Sequence, residues 1–404
     1  MAAQYTIRKL CLPTKHLLGA ELGKNAAARV DEFEQFYKNH TTTLKIKAKN
    51  GEIPSRFFAT LSLRQIRCWQ RDANVAYIFT NEQTLTEWSR KQSFYSAEEE
   101  AFLTELRGFL KRVNRRTFEM LNERYIFKFG GPTRIMGVLN VTPDSFHDGG
   151  ENFSDAAQAI RRGVAMAASG ADIIDVGGES TRPGALPVDE AEEAQRVVPV
   201  IQGLAEEVNV PISIDTYKSH VAEAAIQAGA TIINDISGLQ FDPQMPEVLK
   251  HYGAPLIMMH IKGEPRNMQL NPTYENLMDE LYEYFEERIV FAVSRGVDRA
   301  KIIIDPGLGF GKRLWDNYEI VQRLSEFKGL GCPVMIGPSR KSFIGKVLEL
   351  PPEERLEGTA GFVAAAVGNS HIVRVHDVKE MLRVVQIADL LAGNVIVESQ
   401  ELQR

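Results

Sequence analysis

Met136-Gly-Val-Leu-Asn140-Val-Thr-Pro-Asp144-Ser-Phe-His-Asp-Gly-Gly150 reads as an apolar strand that ends on an asparagine and breaks at once into a polar loop. A strand buried on both faces that hands a polar side chain to a loop mouth is how an α/β enzyme presents a ligand group. The same event recurs downstream, each time with a different polar residue. After residue 131, short β-rich runs stand at Arg134–Asn140, Asp172–Val176, Pro211–Asp215, Thr231–Asp235, Pro255–His260, Lys301–Asp305, Pro333–Gly337 and His371–Val375. Helical stretches are expected between and after them, near 154–169, 189–207, 218–229, 243–252, 273–295, 316–328, 353–367 and 377–392. This succession predicts a closed (β/α)8 TIM barrel, a fold of roughly 250 residues. An open doubly wound sheet also alternates β and α, but no Gly-x-Gly-x-x-Gly follows the first strand, and so many successive units favour closure.

Composition divides the 404 residues in two. Residues 1–130 carry 22 Lys and Arg against 14 Asp and Glu, whereas 131–404 carry 25 against 39. Five glycines lie in the first part and 26 in the second. The boundary is therefore expected near Gly130-Gly-Pro-Thr133, with a small α+β N-terminal domain at 1–130 and the barrel at 131–404. In the first part Thr42–Lys47 and Val75–Thr80 look like strands and Ala26–Tyr37 like a helix. A capping box of Ser96 and Glu99 opens a longer helix running towards Glu123. The cationic group Arg107, Lys111, Arg112, Arg115 and Arg116 on that helix reads as a solvated face. With no nucleic-acid motif beside it, no nucleic-acid partner is expected. No apolar run approaches the roughly 20 residues of a membrane helix, so no membrane partner is expected either. The three cysteines are widely spaced without CxxC, which suits a reducing cytoplasm better than a disulfide framework or a zinc site.

Polar residues gather where strands meet loops: Asn140, Glu179-Ser-Thr181-Arg182, Asp215-Thr216, Asn234-Asp235, Met258-Met-His260, Asp305 to Lys312, Ser339-Arg-Lys341-Ser342 and Arg374-Val-His376-Asp377. Taken singly, each has a bland reading. Asn-Asp is more often a cap or turn than a ligand contact, Asp-Pro-Gly is a common turn, and a lone arginine is usually solvated. A packing role, however, does not place polar groups at the same end of every strand. In a barrel those ends share one face, where active sites sit. Asp215, Asn234 and Asp305 suit a flat heterocycle rich in N–H groups, and such a site rejects analogues that leave its buried groups unpaired. Asn140, Arg182, Arg374 and His376 suit anionic oxygens, and the carbonyl oxygen of Asn140 can also hold Mg²⁺. Free N–H groups where Lys341 and Ser342 open a helical segment could receive a carboxylate.

The blocks Gly137–Phe146, Asp175–Gly184, Ser213–Thr216, Ile233–Asp235, Asp305–Lys312, Ser339–Lys341 and Arg374–Asp377 together resemble dihydropteroate synthase, in that family's order and over about residues 131–393. The resemblance implies condensation of 6-hydroxymethyl-7,8-dihydropterin pyrophosphate with 4-aminobenzoate, a transferase step of folate biosynthesis that sulfonamides target. It assigns the pterin to Asp215, Asn234, Asp305 and Lys341, with Met258 packed on the ring. It assigns the diphosphate to Asn140 with Mg²⁺ and to Arg374 and His376. Thr181, Arg182, Pro183, Phe310, Lys341 and Ser342 would frame the aminobenzoate, and Asp144 would ride on a closing loop. Catalysis would rest on Asp305, Lys341, Arg374 and His376, and family barrels commonly pair as homodimers. A rival is a pterin-binding module presenting a methyl-folate to a methyl-transfer partner, which has no need of Arg182-Pro183, the Ser339–Ser342 block, Arg374 or His376. The first 130 residues fall outside the family pattern and leave any second function open.

Overall fold

The computed structural model describes residues 5–11, 21, 33–34, 37, 42–49, 53, 66–91, 97–115, 117–121, 125–142, 152–182 and 184–395. The chain divides into two compact units. The first comprises Met1–Arg115, Tyr274–Glu283 and Gln322–Gly331; the second comprises Arg116–Thr273, Tyr284–Val321 and Cys332–Arg404.

In the first unit, antiparallel strands β1 (Tyr5–Lys9), β2 (Thr42–Ala48), β3 (Arg67–Asp72) and β4 (Val75–Thr80) lie in the order β1-β2-β4-β3, with helices α1 (Glu82–Lys91) and α2 (Ala97–Val113). Strand alternation sends Ala76 and Ile78 to a core with Leu44, Ile46, Trp88, Phe102 and Phe109, and sends Tyr77 and Phe79 to an aromatic cluster with Phe33 and Trp69. Both expected strands are present. Of the helix expected over Ala26–Tyr37, Phe33, Glu34 and Tyr37 are described and helical, and the others lie outside the described residues, as does Ser96. The long helix ends at Val113 rather than running towards Glu123. Asn114 folds its amide back on the Leu110 carbonyl at 2.9 Å, and Phe118-Glu-Met-Leu121 alternates as a strand.

A buried ionic group ties this unit together. Arg8 and Lys45 are cross-strand partners, an arrangement that is destabilising unless anions intervene. Glu21 accepts from Arg8 at 2.9 Å, from Lys45 at 2.6 Å and from Arg323 at 2.8 Å. Asp279 also bonds Arg8, and Glu326 bonds both Arg8 and Arg323. Glu21 and Glu326 have no exposed side-chain surface.

In the second unit, the antiparallel hairpin β5 (Phe118–Leu121) and β6 (Ile126–Phe129) precedes eight parallel strands. These are β7 (Arg134–Asn140), β8 (Ile173–Gly177), β9 (Ile212–Asp215), β10 (Ile232–Asp235), β11 (Leu256–Met259), β12 (Ile302–Asp305), β13 (Met335–Ile336) and β14 (Ile372–Val375). They pair in chain order from β7 to β12. Strand β14 lies between β7 and β13, and an Ile304–Val334 bridge closes the ring. Helices α3 (Asn152–Ala168), α4 (Glu190–Glu207), α5 (Ser219–Gln227), α6 (Met245–Tyr252), α7 (Leu277–Ser294, of which Leu277–Glu283 is counted in the first unit), α8 (Leu314–Gln322, whose last residue is counted there too), α9 (Ser342–Leu348), α10 (Leu356–Ala366) and α11 (Val378–Ala392) follow the strands, as the (β/α)8 expectation requires. The stretch expected as one helix to 328 stops at Gln322 and resumes as a 3₁₀ turn, Leu324–Leu330.

The barrel floor is apolar. Met136, Ile173, Ile232, Ile257, Ile303, Met335 and Ile372 bury with Phe118, Met120 and Phe129 of the hairpin. The junction expected at 130 therefore falls after a hairpin whose aromatic face packs with the barrel, because Phe118 and Phe129 are needed to close that floor. No helix among the described residues is long and apolar enough to cross a membrane.

Candidate active site in the barrel mouth

Every second residue of a strand points inward. Two positions beyond the floor residues stand Asp175 on β8, Asn234 on β10, Met259 on β11, Asp305 on β12 and Arg374 on β14, and Ser213 on β9 is level with Asp175. Asp215 follows Ser213 on the same face, beside Gly177, where an added Cβ would come within 3.5 Å of the Asp215 Cβ. The apolar floor thus passes directly into a polar layer.

Arg374 joins two acids of that layer. Its Nε donates to Asp175 Oδ2 at 2.6 Å and its Nη2 to Asp215 Oδ2 at 2.7 Å, while Asn234 Nδ2 donates to Asp175 Oδ2 at 3.0 Å. Three buried atoms of the layer have no partner: Asp175 Oδ1, Ser213 Oγ and Asn234 Oδ1. Buried polar atoms are nearly always satisfied, and each left alone costs about 1–3 kcal/mol. Three orphans on neighbouring strands of one polar layer are what a ligand with its own donors and acceptors would satisfy.

Burial shifts the charges here. The Asp215 carboxyl is pushed up to about 7 by desolvation and the neighbouring Asp175, Glu193 and Asp235, against the pull of Arg374. Desolvation also raises Asp305, whose Oδ1 accepts from Gly307 N at 2.8 Å. Lys341 is pulled down to about 8 by burial, with Asp305 opposing. Burial would lower Arg374 as well, but Asp175 and Asp215 hold its guanidinium firmly charged.

Around the rim, Lys341 Nζ donates to the Leu308 carbonyl and stands 4.5 Å over the Phe310 ring. His376 Nδ1 meets Ser339 Oγ at 3.0 Å, and desolvation with Arg374 and Arg340 lowers its pKa to about 4. Arg340, at φ +56°, forks onto Asp377. Asn140 is half-buried at the end of β7, Thr181 is half-buried, and Arg182 and Ser342 are exposed. Asp144 and Pro183 lie outside the described residues. A separate cavity of about 410 Å³ runs under the loops after β8 to β11, between Glu179, Tyr217, Phe241 and Arg266, and none of the expected site residues lines it.

The structure thus gathers Asp215, Asn234, Asp305, Lys341 and Arg374, and it amends the expected set in three ways. Met258 pairs with Ile304 on the barrel's outer face, while Met259 stands opposite Asp305. With Ile257 in the floor, the period of two gives Met259 the inward place. Arg374, expected to face an anion, is held between two acids here, and His376, its expected companion, bonds Ser339 through Nδ1. Asp175 and Ser213 were missed, although each stands two residues before a mouth position, Gly177 and Asp215, and so shares its face.

The residues match the family model for pterin binding enzymes over 136–376. A dihydropteroate synthase of Synechocystis is 47% identical over 268 residues, 66% of this chain and 92% of that protein. The crystal structure of Yersinia pestis dihydropteroate synthase with a sulfonamide drug complex superposes with a TM-score of 0.65 at 40% identity, covering 68% of this chain and all of that one. A Xanthomonas albilineans dihydropteroate synthase with 4-aminobenzoic acid gives 0.62 at 37% identity, covering 67% and 96%. With the family model spanning more than half of the chain and its blocks falling on the mouth of the barrel, this chain belongs to the pterin-binding enzymes of the dihydropteroate synthase family.

Proposed function

We propose that the barrel carries out its family's reaction, joining 6-hydroxymethyl-7,8-dihydropterin pyrophosphate to 4-aminobenzoate with release of pyrophosphate. The observation that carries this is the trio of orphaned buried atoms on Asp175, Ser213 and Asn234. Two acceptors and a hydroxyl in one layer suit the alternating N–H and ring-nitrogen edge of a pterin. Asp215 and Asp305 complete the acceptor set, and Met259 supplies an apolar contact beside Asp305.

In the reaction the C–O bond to diphosphate breaks, the aryl amine forms a C–N bond at the same carbon, and the amine gives up a proton. The pterin ring can delocalise positive charge as the leaving group departs, and the buried carboxylates Asp305 and Asp175 favour that charge. Arg374, released from Asp175 and Asp215 once pterin N–H groups occupy them, faces the departing anion with His376. Fixed charges aimed at developing charge are usually the largest catalytic term. The amine is already nucleophilic, so no activated side-chain nucleophile is required. Thr181, Arg182, Phe310, Lys341 and Ser342 frame the aminobenzoate.

No group of three or more His, Cys, Asp or Glu suited to a metal occurs among the described residues. Magnesium is commonly held by one or two protein oxygens with substrate phosphates and water, which the half-buried amide of Asn140 fits. When bound there, Mg²⁺ would neutralise charge on the diphosphate. The protein is expected to work as a homodimer in the cytoplasm.

Pyrophosphate release with both substrates and Mg²⁺ tests the reading, and bound pterin without product would leave the barrel a binding module. The profile of kcat/KM against pH should be a narrow bell. Below about 7 Asp215 takes a proton and loses an acceptor; above about 8 Lys341 loses its charge. A rate flat from pH 6 to 9 (roughly one unit beyond either edge) would remove both groups from the mechanism.

A further inference from the structure

The loop from Asp305 to Lys312 contains a buried cation that the reaction as described does not use. Lys312 is 3% exposed, and the partners its Nζ bonds among the described residues are His260 and the Phe310 carbonyl rather than a carboxylate. Its Nζ lies 2.9 Å from His260 Nδ1 and donates to the Phe310 carbonyl at 3.0 Å. Burying an ammonium away from a carboxylate costs free energy, so its position calls for a reason. Desolvation holds Lys312 down to about 7 against the attraction of Asp305 and keeps His260 neutral, and where Lys312 is an ammonium the contact needs His260 Nδ1 to accept.

His260 is itself fixed. Its backbone N–H donates to the Asp305 carbonyl at 3.0 Å, and its ring stands edge-on to Tyr284 with centroids 4.6 Å apart. Tyr284 in turn donates to the Met259 carbonyl at 2.9 Å. The loop crosses this platform closely. Gly307 has φ +69°, and a Cβ there would lie 2.0 Å from the His260 carbonyl oxygen. Successive carbonyls are then tied by side chains, Leu308 by Lys341, Gly309 by Gln269 and Phe310 by Lys312. The Phe310 ring is thereby clamped between the Lys341 ammonium and the apolar group of Ile236, Met259, Ile261 and Met268.

We infer that Lys312 and His260 form a positioning pair for the second substrate, setting through the Phe310 carbonyl where the wall of the aminobenzoate subsite stands. The inference rests on the synthase reading given above. Neither side chain hydrogen-bonds a pterin-facing acid, and Lys312 reaches Asp305 through its charge alone, so the pair should govern capture of the aryl amine more than binding of the pterin.

Steady-state kinetics and pterin titration separate the possibilities. Lys312→Met keeps the stem and removes the ammonium; it should raise KM for 4-aminobenzoate about tenfold or more, with kcat within about threefold and pterin affinity unchanged. His260→Phe should do the same. His260→Asn, whose amide oxygen can accept where Nδ1 does, should restore KM to near that of the wild type. If Lys312→Met does not fold, the comparison of the two His260 variants decides. An unchanged KM in the folded variants overturns the pair, as does an equal loss of pterin binding or an asparagine variant as impaired as phenylalanine. A wild-type protein that makes no product overturns the synthase reading instead, an outcome read before any variant is compared.

Discussion

Arg374→Ala is expected to lower kcat by about 10²-fold or more in the pyrophosphate-release assay. The guanidinium has two tasks, and both fail in the variant. Before substrate arrives it neutralises Asp175 and Asp215, to which it donates at 2.6 and 2.7 Å. During the reaction it is the fixed cation nearest the pterin-facing acids and is free to turn towards the departing diphosphate. Without it, two buried carboxylates face each other, and like charges at close range push one of them to keep its proton. Asp215 already titrates near 7 with the arginine present, so the acid limb of the pH profile should move upward. Arg374→Lys keeps the charge but lacks the fork that bonds two acids at once, and should fall between wild type and alanine. Turnover of the alanine variant close to wild type would remove Arg374 from the leaving-group role.

The barrel was legible because its evidence is repeated. Buried parallel strands are largely apolar, and each hands over to polar residues at its end or in the loop that follows, so the pattern from Arg134–Asn140 to His371–Val375 reports both topology and site. The deeper half of the site was harder to read. Asp175 and Ser213 lie inside strands and look like interruptions of apolar runs. Their meaning appears once the register sets Asp175 level with Ser213 and opposite Arg374. Met258 and Met259 are equivalent in composition, and only the phase set by Ile257 in the floor separates them. The hairpin of Phe118–Leu121 and Ile126–Phe129 was hidden behind a helix with a strong capping signal. Its alternation is short, and its partner surface is built from residues scattered between Met136 and Ile372.

The first unit offers the other large effect. Arg323→Met should destabilise it by about 3–5 kcal/mol, the usual result of removing one partner from a buried ionic group. Arg323 is 1% exposed and donates to Glu21 at 2.8 Å and to Glu326 at 2.8 Å. Its loss leaves Glu21, Asp279 and Glu326 shared between Arg8 and Lys45 alone. The sign of the pH dependence follows from Glu21, whose carboxyl is held well below its usual range by Arg8, Lys45 and Arg323 against strong desolvation. A carboxylate depressed in this way contributes stability that is present above its unfolded pKa of roughly 4.3 and lost as the pH falls through its folded value. The gap between wild type and variant in urea unfolding should therefore be full at neutral pH and narrow on acidification below about 4, as Glu21 becomes neutral. A gap that is small at pH 7, or that widens in acid, would mean that the methionine packs as well as the ion pairs do. Because Arg323 and Glu326 come from the stretch 322–331 of the first unit while Arg8, Glu21 and Lys45 come from its N-terminal stretch, the full gap would show that this unit is held together by charges that distant parts of the chain supply to one another.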